Sequence, residues 1–527
     1  MRNLSLKTRC RFLIETYFVG IEIQLMFLMQ NCKGELRLRP VQQLCLLIFF
    51  QVFLWTLIPY LSNQTLPLDV IREGLSWGQE WQAGYHKHPP FVSWICNVFY
   101  EAFGDLGPYF LSQASIGLTY YYSFRTSKYY LSEQHSFLAT IMLLGVYYFS
   151  WPSPEFNHNV AQMPVWAALI FLFHRVIFSD DRKAWILIGA VIGLGALIKY
   201  SIFILPFLML IYLFVSHKLA LTFRTPEVYV GALLALLIIS PHAFWLYENN
   251  FITFGYLSDR ANGSGDKNIY IGGIKFLLAQ FADHLPMMIG LAITGLLKFQ
   301  YWSVPKNGFQ KIKVLALFAV GPALLTVLIS FLSGMGLRDM WGAPMWSLSG
   351  TLVMVFISKD IDDGHFRKIL SYFLSLFLIV VCLYGVSNKY GSLVTGKLKR
   401  TDWPATKIAA KFNNDWVNKT GCPLRIVAGE NWLAGLVSAK VIGRPSVWID
   451  ADFQLAPWVT KERLKSEGAL LLWLSDDVDE HRLLERAIQF GPINIEEPKY
   501  FDWPGSHKNK TIKINWAYIS PQNCGSK

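Results

Sequence analysis

A chain of 527 residues that is 53% hydrophobic and only 16% charged falls well below the ~25% charged residues of soluble domains, which excludes a water-soluble globular protein. The net charge of +12 fits loops facing anionic lipid, and no nucleic-acid partner is expected. Nineteen Trp and twenty-four Tyr suit many membrane–water boundaries, so the class is an α-helical polytopic membrane protein.

Residues 1–40 are basic and then apolar, but the run is broken by Glu15, Glu22 and Gln24. No small-residue cleavage site follows a clean apolar core, so the segment reads as a cytoplasmic or interfacial lead-in. Val41–Leu61 is the first stretch long enough for the ~20 residues that a bilayer core requires. Further spans are expected at Leu106–Phe124, Phe137–Trp151, Val160–Phe178, Trp185–Ile198, Ile202–Val215 and Val228–Trp245. Ile274–Leu297, Val314–Leu332, Trp341–Ile357 and Ile369–Gly385 complete a set of about eleven, forming a membrane domain over residues 41–388. Arg125/Lys128, Arg182/Lys183, Lys218/Arg224, Lys306/Lys311/Lys313 and Arg367/Lys368 then fall on one side, the cytoplasmic one by the positive-inside tendency. The loops at 66–90, 155–159 and 248–271 and the C-terminus share the opposite face.

Residues 389–527 change texture. Amphipathic stretches alternate with the short apolar runs LRIVAG, PSVWID and ALLLWL, which predicts a C-terminal α/β domain with mostly parallel strands on the external side. The seven cysteines include no CxxC; only Cys422 and Cys524 are placed to pair.

Between the first span and Trp94 the sequence LPLDVIREGLSWGQEWQAGYHKHPPFVSW concentrates Asp69, Arg72, Glu73, Glu80, His86, Lys87 and His88 before Pro89-Pro90. So dense an ionisable segment lies in water or in a buried site beside the bilayer. Helical spacing would place Asp69, Arg72 and Glu73 on one face. An Asp opening the first external loop, an Arg one turn on, then a basic residue and Pro-Pro resembles the GT-C glycosyltransferases that take sugars from polyprenyl phosphates. That clan includes protein O-mannosyltransferases and lipid A aminoarabinose transferases. The phrases PEFNHN, RDMWGAPMW and TGCPLRIVAGENWLAG are similar to a bacterial subgroup with a periplasmic C-terminal domain.

The resemblance implies that Asp69 is the base, or the orienting group, for the acceptor. The clan's usual Asp-Glu reads Asp69-Val70 here, which leaves Glu73 open as a substitute. Arg72, Lys87, Lys199 and His284 are the expected contacts of the donor phosphate, since fixed cations clamp a phosphate leaving group. Arg72 and Lys87 are equally suited to be interfacial anchors, and a lone interfacial His284 to be structural. Glu155, Asn157 and Asn159 precede a span and are candidates for substrate contact, with helix capping by either Asn as the plainer role. Arg260 and Arg338-Asp339 are further polar groups at the same depth; the latter pair is also readable as a salt-bridged turn. His86 and His88 form a His-x-His pair, a weak metal signal. No cofactor follows from the sequence with certainty, and a divalent metal is the one candidate. The aminoarabinose transferases carry Glu-Lys where this chain has Lys87-His88, which puts such a site in doubt or rebuilds it around His88.

The expected function is inverting transfer of a sugar from a polyprenyl-phosphate donor to a lipid or glycan acceptor of the cell envelope, lipid A or lipopolysaccharide core before protein. The site would face the periplasm from a bacterial inner membrane. A lipid-linked-sugar flippase would predict matched halves, and no internal repeat is visible. A non-catalytic glycan-binding assembly protein is the other alternative.

Overall fold

The computed structural model describes residues 38–255, 269–303, 309–357, 361–474, 480–503 and 510–522. Nearly all of the expected lead-in 1–40, together with Arg260 and Cys524, therefore lies outside the described residues.

The membrane part is a helical bundle. Helices α1 (Pro40–Ser62), α2 (Phe91–Phe103), α3 (Leu106–Ser127), α4 (Glu133–Ile141) and α5 (His158–Ser179) come first. They are followed by α6 (Ala184–Ile198), α7 (Ile204–Val215), α8 (Pro226–Glu248), α9 (Ile269–Asp283) and α10 (Leu285–Ile293). The set ends with α11 (Phe309–Ala319), α12 (Gly321–Ser333), α13 (Ser349–Phe356) and α14 (Asp363–Thr395).

Among the described residues four helices, α1, α5, α8 and α14, are by themselves long and apolar enough to cross a bilayer. The pairs α9–α10 and α11–α12 pass the same test together but bend by 42° and 53°. Two expected spans are interrupted. Residues 137–151 begin as α4 and then tighten into the 3-10 turns Met142–Gly145 and Tyr147–Phe149. At Gly145 the backbone of Met287 comes so close that a Cβ would stand 2.7 Å from it. Residues 341–357 begin inside the 3-10 segment Asp339–Trp346, which includes Pro344, and continue into the short α13. Helix α2 was not among the expected spans; it buries Val92, Ser93, Cys96 and Asn97 and turns its other faces outward.

Helix α3 is 22 residues long but carries polar groups at its centre, because they are paired inside the bundle. Gln51 Nε2 donates to Gln113 Oε1 (2.9 Å), and Gln113 Nε2 to Ser153 Oγ (3.2 Å). The bundle ends sort as the charges expect. The Tyr129 and Ser179 hydroxyls lie 3.2 Å apart, and Lys311 Nζ donates to the Tyr129 carbonyl at the same end. At the other end the loops at 69, 155, 159 and 199 meet.

The C-terminal part has helices α15 (Ala405–Thr420) and α16 (Asn431–Lys440) and strands β1 (Ile426–Gly429), β2 (Ser446–Ile449), β3 (Ala469–Leu474), β4 (Ile493–Asp502) and β5 (Thr511–Ile519). The sheet order is β2-β1-β3-β5-β4. The three runs picked from the sequence are β1, β2 and β3, and they pair in parallel. The expectation of a mostly parallel sheet is corrected by β4 and β5, an antiparallel hairpin added beside β3. Every residue of α16 from Trp432 to Ala439 is buried, because the helix is covered by its own sheet on one side and by the first loop on the other. Cys422 is disulfide-bonded.

Candidate functional site

The site grows from residues 68–78, one helix whose middle, Val70–Leu75, is wound as a π turn. Such turns are rare and gather at functional sites. Ser76 Oγ donates to the Ile71 carbonyl (2.7 Å), five residues back, which matches the wider register. Glycines permit the close packing: a Cβ on Gly74 would stand 2.7 Å from Cys96 Sγ, and one on Gly78 2.2 Å from the Ser93 carbonyl oxygen. The helix is thereby pressed onto α2.

Asp69 opens this helix. Its amide donates to Glu155 Oε1 (2.8 Å), and its Oδ1 accepts from Arg72 Nε (2.9 Å). Arg72 Nε also lies 3.5 Å from Glu73 Oε1. Glu73 is the hub, with a side chain only 5% exposed. Its Oε1 takes the Lys87 ammonium, while Oε2 faces His158 Nδ1 at 3.4 Å and His88 Nε2 at 3.9 Å. Lys199 reaches the same corner by donating from Nζ to Asn159 Oδ1 (2.8 Å), with its ammonium 5.6 Å from the Trp341 ring centre.

Burial opposes ionisation of Glu73, but the bond to His158 and the Lys87 charge outweigh it and hold the carboxyl well below its ordinary range. Burial raises Asp69, reinforced by the charge of Glu73. Burial and the Asp69 charge lift Glu155 from its ordinary 4.5 to about 7. Since the unfolded chain gives up that proton near 4.5 and the folded chain near 7, this carboxyl makes stability fall as pH rises through the window. Glu155→Gln should flatten the fall. Melting midpoints of the purified protein in detergent across that range check it, and an equally steep decline in the variant would refute the assignment.

The His86-x-His88 pair does not act together. The Tyr85 amide donates to the His88 carbonyl (3.1 Å), folding residues 85–88 tightly so that the two rings diverge. His86 packs edge-on to Trp77 and is pushed down to about 4 by burial and by Lys87. His88 instead lies against His158, with ring centres 3.9 Å apart. The metal-type cluster among the described residues is Glu73, His88 and His158, whose ligand atoms lie within 4.8 Å of one another. One Glu oxygen and two imidazoles are a donor set that divalent zinc-like ions accept. His158 is 3% exposed, and its Nε2 has no hydrogen-bond partner among the described residues, so the corner has room in its bonding for a further group.

Asn157 is a helix cap: its Oδ1 accepts from the amides of Asn159 (2.9 Å) and Val160 (3.2 Å), opening α5. His284 is held elsewhere, its Nδ1 on the Gln280 carbonyl (2.7 Å) and its Nε2 on Ser349 Oγ (2.9 Å). Asp339 accepts from the amide of Met340 (2.8 Å), and its carbonyl takes the Tyr148 hydroxyl (2.6 Å). No described bond or ion pair links His284, Arg338 or Asp339 to Glu73. His158 is the residue that site selection from sequence passed over, although it stands between two chosen neighbours in PEFNHN.

Residues 87–245 match the family model described as dolichyl-phosphate-mannose-protein mannosyltransferase. Two relatives from Rhizobium johnstonii are named lipopolysaccharide core galacturonosyltransferases. RgtB is 23% identical over 78% of this chain and 83% of its own length. RgtA is 24% identical over 87% of this chain and 93% of its own. The fold is similar to that of ArnT from Cupriavidus metallidurans bound to undecaprenyl phosphate, with a TM-score of 0.64 at 13% identity, covering 92% of this chain and 99% of ArnT. The apo form of ArnT gives 0.57 at 11% identity over the same shares. With the half-buried Asp69–Arg72–Glu73–Lys87 loop at the head of a helical bundle, these likenesses agree with one another: the chain has the fold of ArnT, and its sequence is similar to membrane glycosyltransferases of the GT-C clan.

Proposed function

We propose that this enzyme moves a sugar from a polyprenyl-phosphate donor to the lipopolysaccharide core, with inversion, on the periplasmic face of a bacterial inner membrane. The observation that carries the reading is the convergence of Asp69, Arg72 and Lys87 of the first loop with Lys199 of a distant one on one corner. Three cations are gathered there beside Asp69 and Glu73, and fixed positive charge at that place suits an anionic leaving group. Asp69 takes the proton of the acceptor hydroxyl as its oxygen attacks the anomeric carbon. The bond from that carbon to the phosphate oxygen breaks with its electron pair on the phosphate, which needs no proton because it departs as a stable anion. Arg72, Lys87 and Lys199 hold that charge, and Asn159 orients Lys199. The periplasmic placement rests on the positively charged loops at the opposite end, and the C-terminal domain, 389–527, shares the periplasmic side.

The residues that would hold a divalent metal are Glu73, His88 and His158, and the ion would add positive charge beside the departing phosphate. Zinc titrated into the purified chain by calorimetry should bind, and His158→Ala should weaken it by about tenfold or more, given a lost ligand. Native zinc affinity in both the His158→Ala and the His88→Ala proteins would remove the metal from the scheme.

The purified chain in liposomes, given polyprenyl-phosphate galacturonic acid and lipopolysaccharide core, should add one uronic residue to the core by mass spectrometry. The relatives' names make that sugar the first to supply. Movement of the lipid-linked sugar across the bilayer without transfer would instead support a flippase.

A further inference from the structure

Helix α16 of the C-terminal part meets the first loop at the turn that bears Arg72. Asn431, the first residue of α16, donates from Nδ2 to the main-chain carbonyl of Arg72 (2.9 Å). Glu430 caps the helix, its Oε2 accepting from the amides of Trp432 (3.1 Å) and Leu433 (3.2 Å), and its negative charge reaches the Arg72 guanidinium. One turn on, Gly435 lets α16 lie directly on the π turn: a Cβ there would stand 2.4 Å from Ser76 Oγ and 3.1 Å from Ile71 Cγ2. Arg444, just past the helix, donates to the Leu75 carbonyl (3.0 Å) and to Asn97 Oδ1 (2.6 Å). Two carbonyls of the π turn, those of Arg72 and Leu75, thus receive side-chain donors from a part of the chain more than 350 residues away.

We infer that the C-terminal domain is a working part of the transfer site, in which Asn431 is a positioning residue that fixes the backbone of Arg72 and, through the Arg72–Asp69 pair, the orientation of Asp69. This rests on the function proposed above. Anchoring of the domain does not depend on that bond. The Tyr100 hydroxyl donates to the Ala439 carbonyl (2.7 Å), Lys440 pairs with Asp105, and Gln79 Nε2 donates to the Pro445 carbonyl (3.2 Å). Loss of the Asn431 amide therefore disturbs Arg72 without detaching the domain. A guanidinium displaced by ~1 Å from a group it must meet costs ~100-fold in rate, so one hydrogen bond at this place has leverage that the same bond at Tyr100 lacks.

The test compares full-length variants in liposomes with polyprenyl-phosphate galacturonic acid and lipopolysaccharide core. Asn431→Ala should lower kcat by about 10- to 100-fold with the acceptor KM unchanged, and Tyr100→Phe should stay within about twofold of the native rate. Asn431→Asp keeps the shape but cannot donate; it should match the alanine variant and carries the comparison if alanine prevents folding. In an Arg72→Lys background Asn431→Ala should add less than about twofold, because the two act as one unit. Equal rates for Asn431→Ala, Asn431→Asp and Tyr100→Phe, or effects of Asn431 and Arg72 that simply multiply, would overturn the inference while leaving the proposed chemistry intact. Native activity in Asp69→Asn would overturn both.

Discussion

Asp69→Asn should leave a folded protein whose transfer rate falls by about 10²- to 10⁴-fold, the range set by loss of a general base. The substitution preserves shape, and the Asp69 amide still donates to Glu155. The remaining side-chain oxygen can still accept from Arg72, so the loop keeps its frame while losing the proton acceptor. Donor binding, measured by retention of polyprenyl phosphate on the purified variant, should remain near native, since Lys87 and Lys199 are untouched. A variant that transfers sugar at more than a tenth of the native rate would remove Asp69 from the chemistry.

Glu73→Ala should cost about 3–5 kcal/mol of stability, the range for breaking a buried ion pair from one side. The side chain is 5% exposed, and that of Lys87, which it pairs with, is 17% exposed. Removal leaves the Lys87 ammonium in the interior without this carboxylate and takes away the contacts to Arg72 and His158. Changing Lys87 to Met as well should recover most of the loss, because an apolar replacement of both partners no longer strands a charge. Transfer should be absent in both variants, as the phosphate corner is dismantled. Denaturant unfolding of the purified proteins checks the stabilities; a single variant as stable as the native chain would mean that Glu73 does not hold the loop together.

The membrane class was legible from apolar run length, and the two ends of the bundle from where Lys and Arg fall. Interruptions of the runs were not. The 3-10 turns at Met142–Gly145 and Asp339–Trp346 arise where other backbone or side chains press in, as Met287 does on Gly145, and hydropathy does not register such contacts. The parallel strands announced themselves as continuous apolar runs, because both faces are covered. TIKINWAYI carries its own signal in alternation, buried at Ile512 and Ile514 and open at Thr511 and Lys513, which reading for apolar runs passes over. In the site, Asp69 and Arg72 could be paired from spacing alone. His158 and Asn431 could not, since each reaches the first loop only through the packing of a distant helix.

One consequence of the Asn431–Arg72 bond concerns order of synthesis. A ribosome that has made residue 72 must add 359 more before residue 431 exists, which at about 5–20 residues per second takes tens of seconds. Through that interval the nascent bundle already displays its charged loop, yet the last clamp on its arginine is missing. The arginine thus meets its clamp only once residue 431 has been added, so a nascent chain that stalls before that point should work no faster than one whose Asn431 amide is missing.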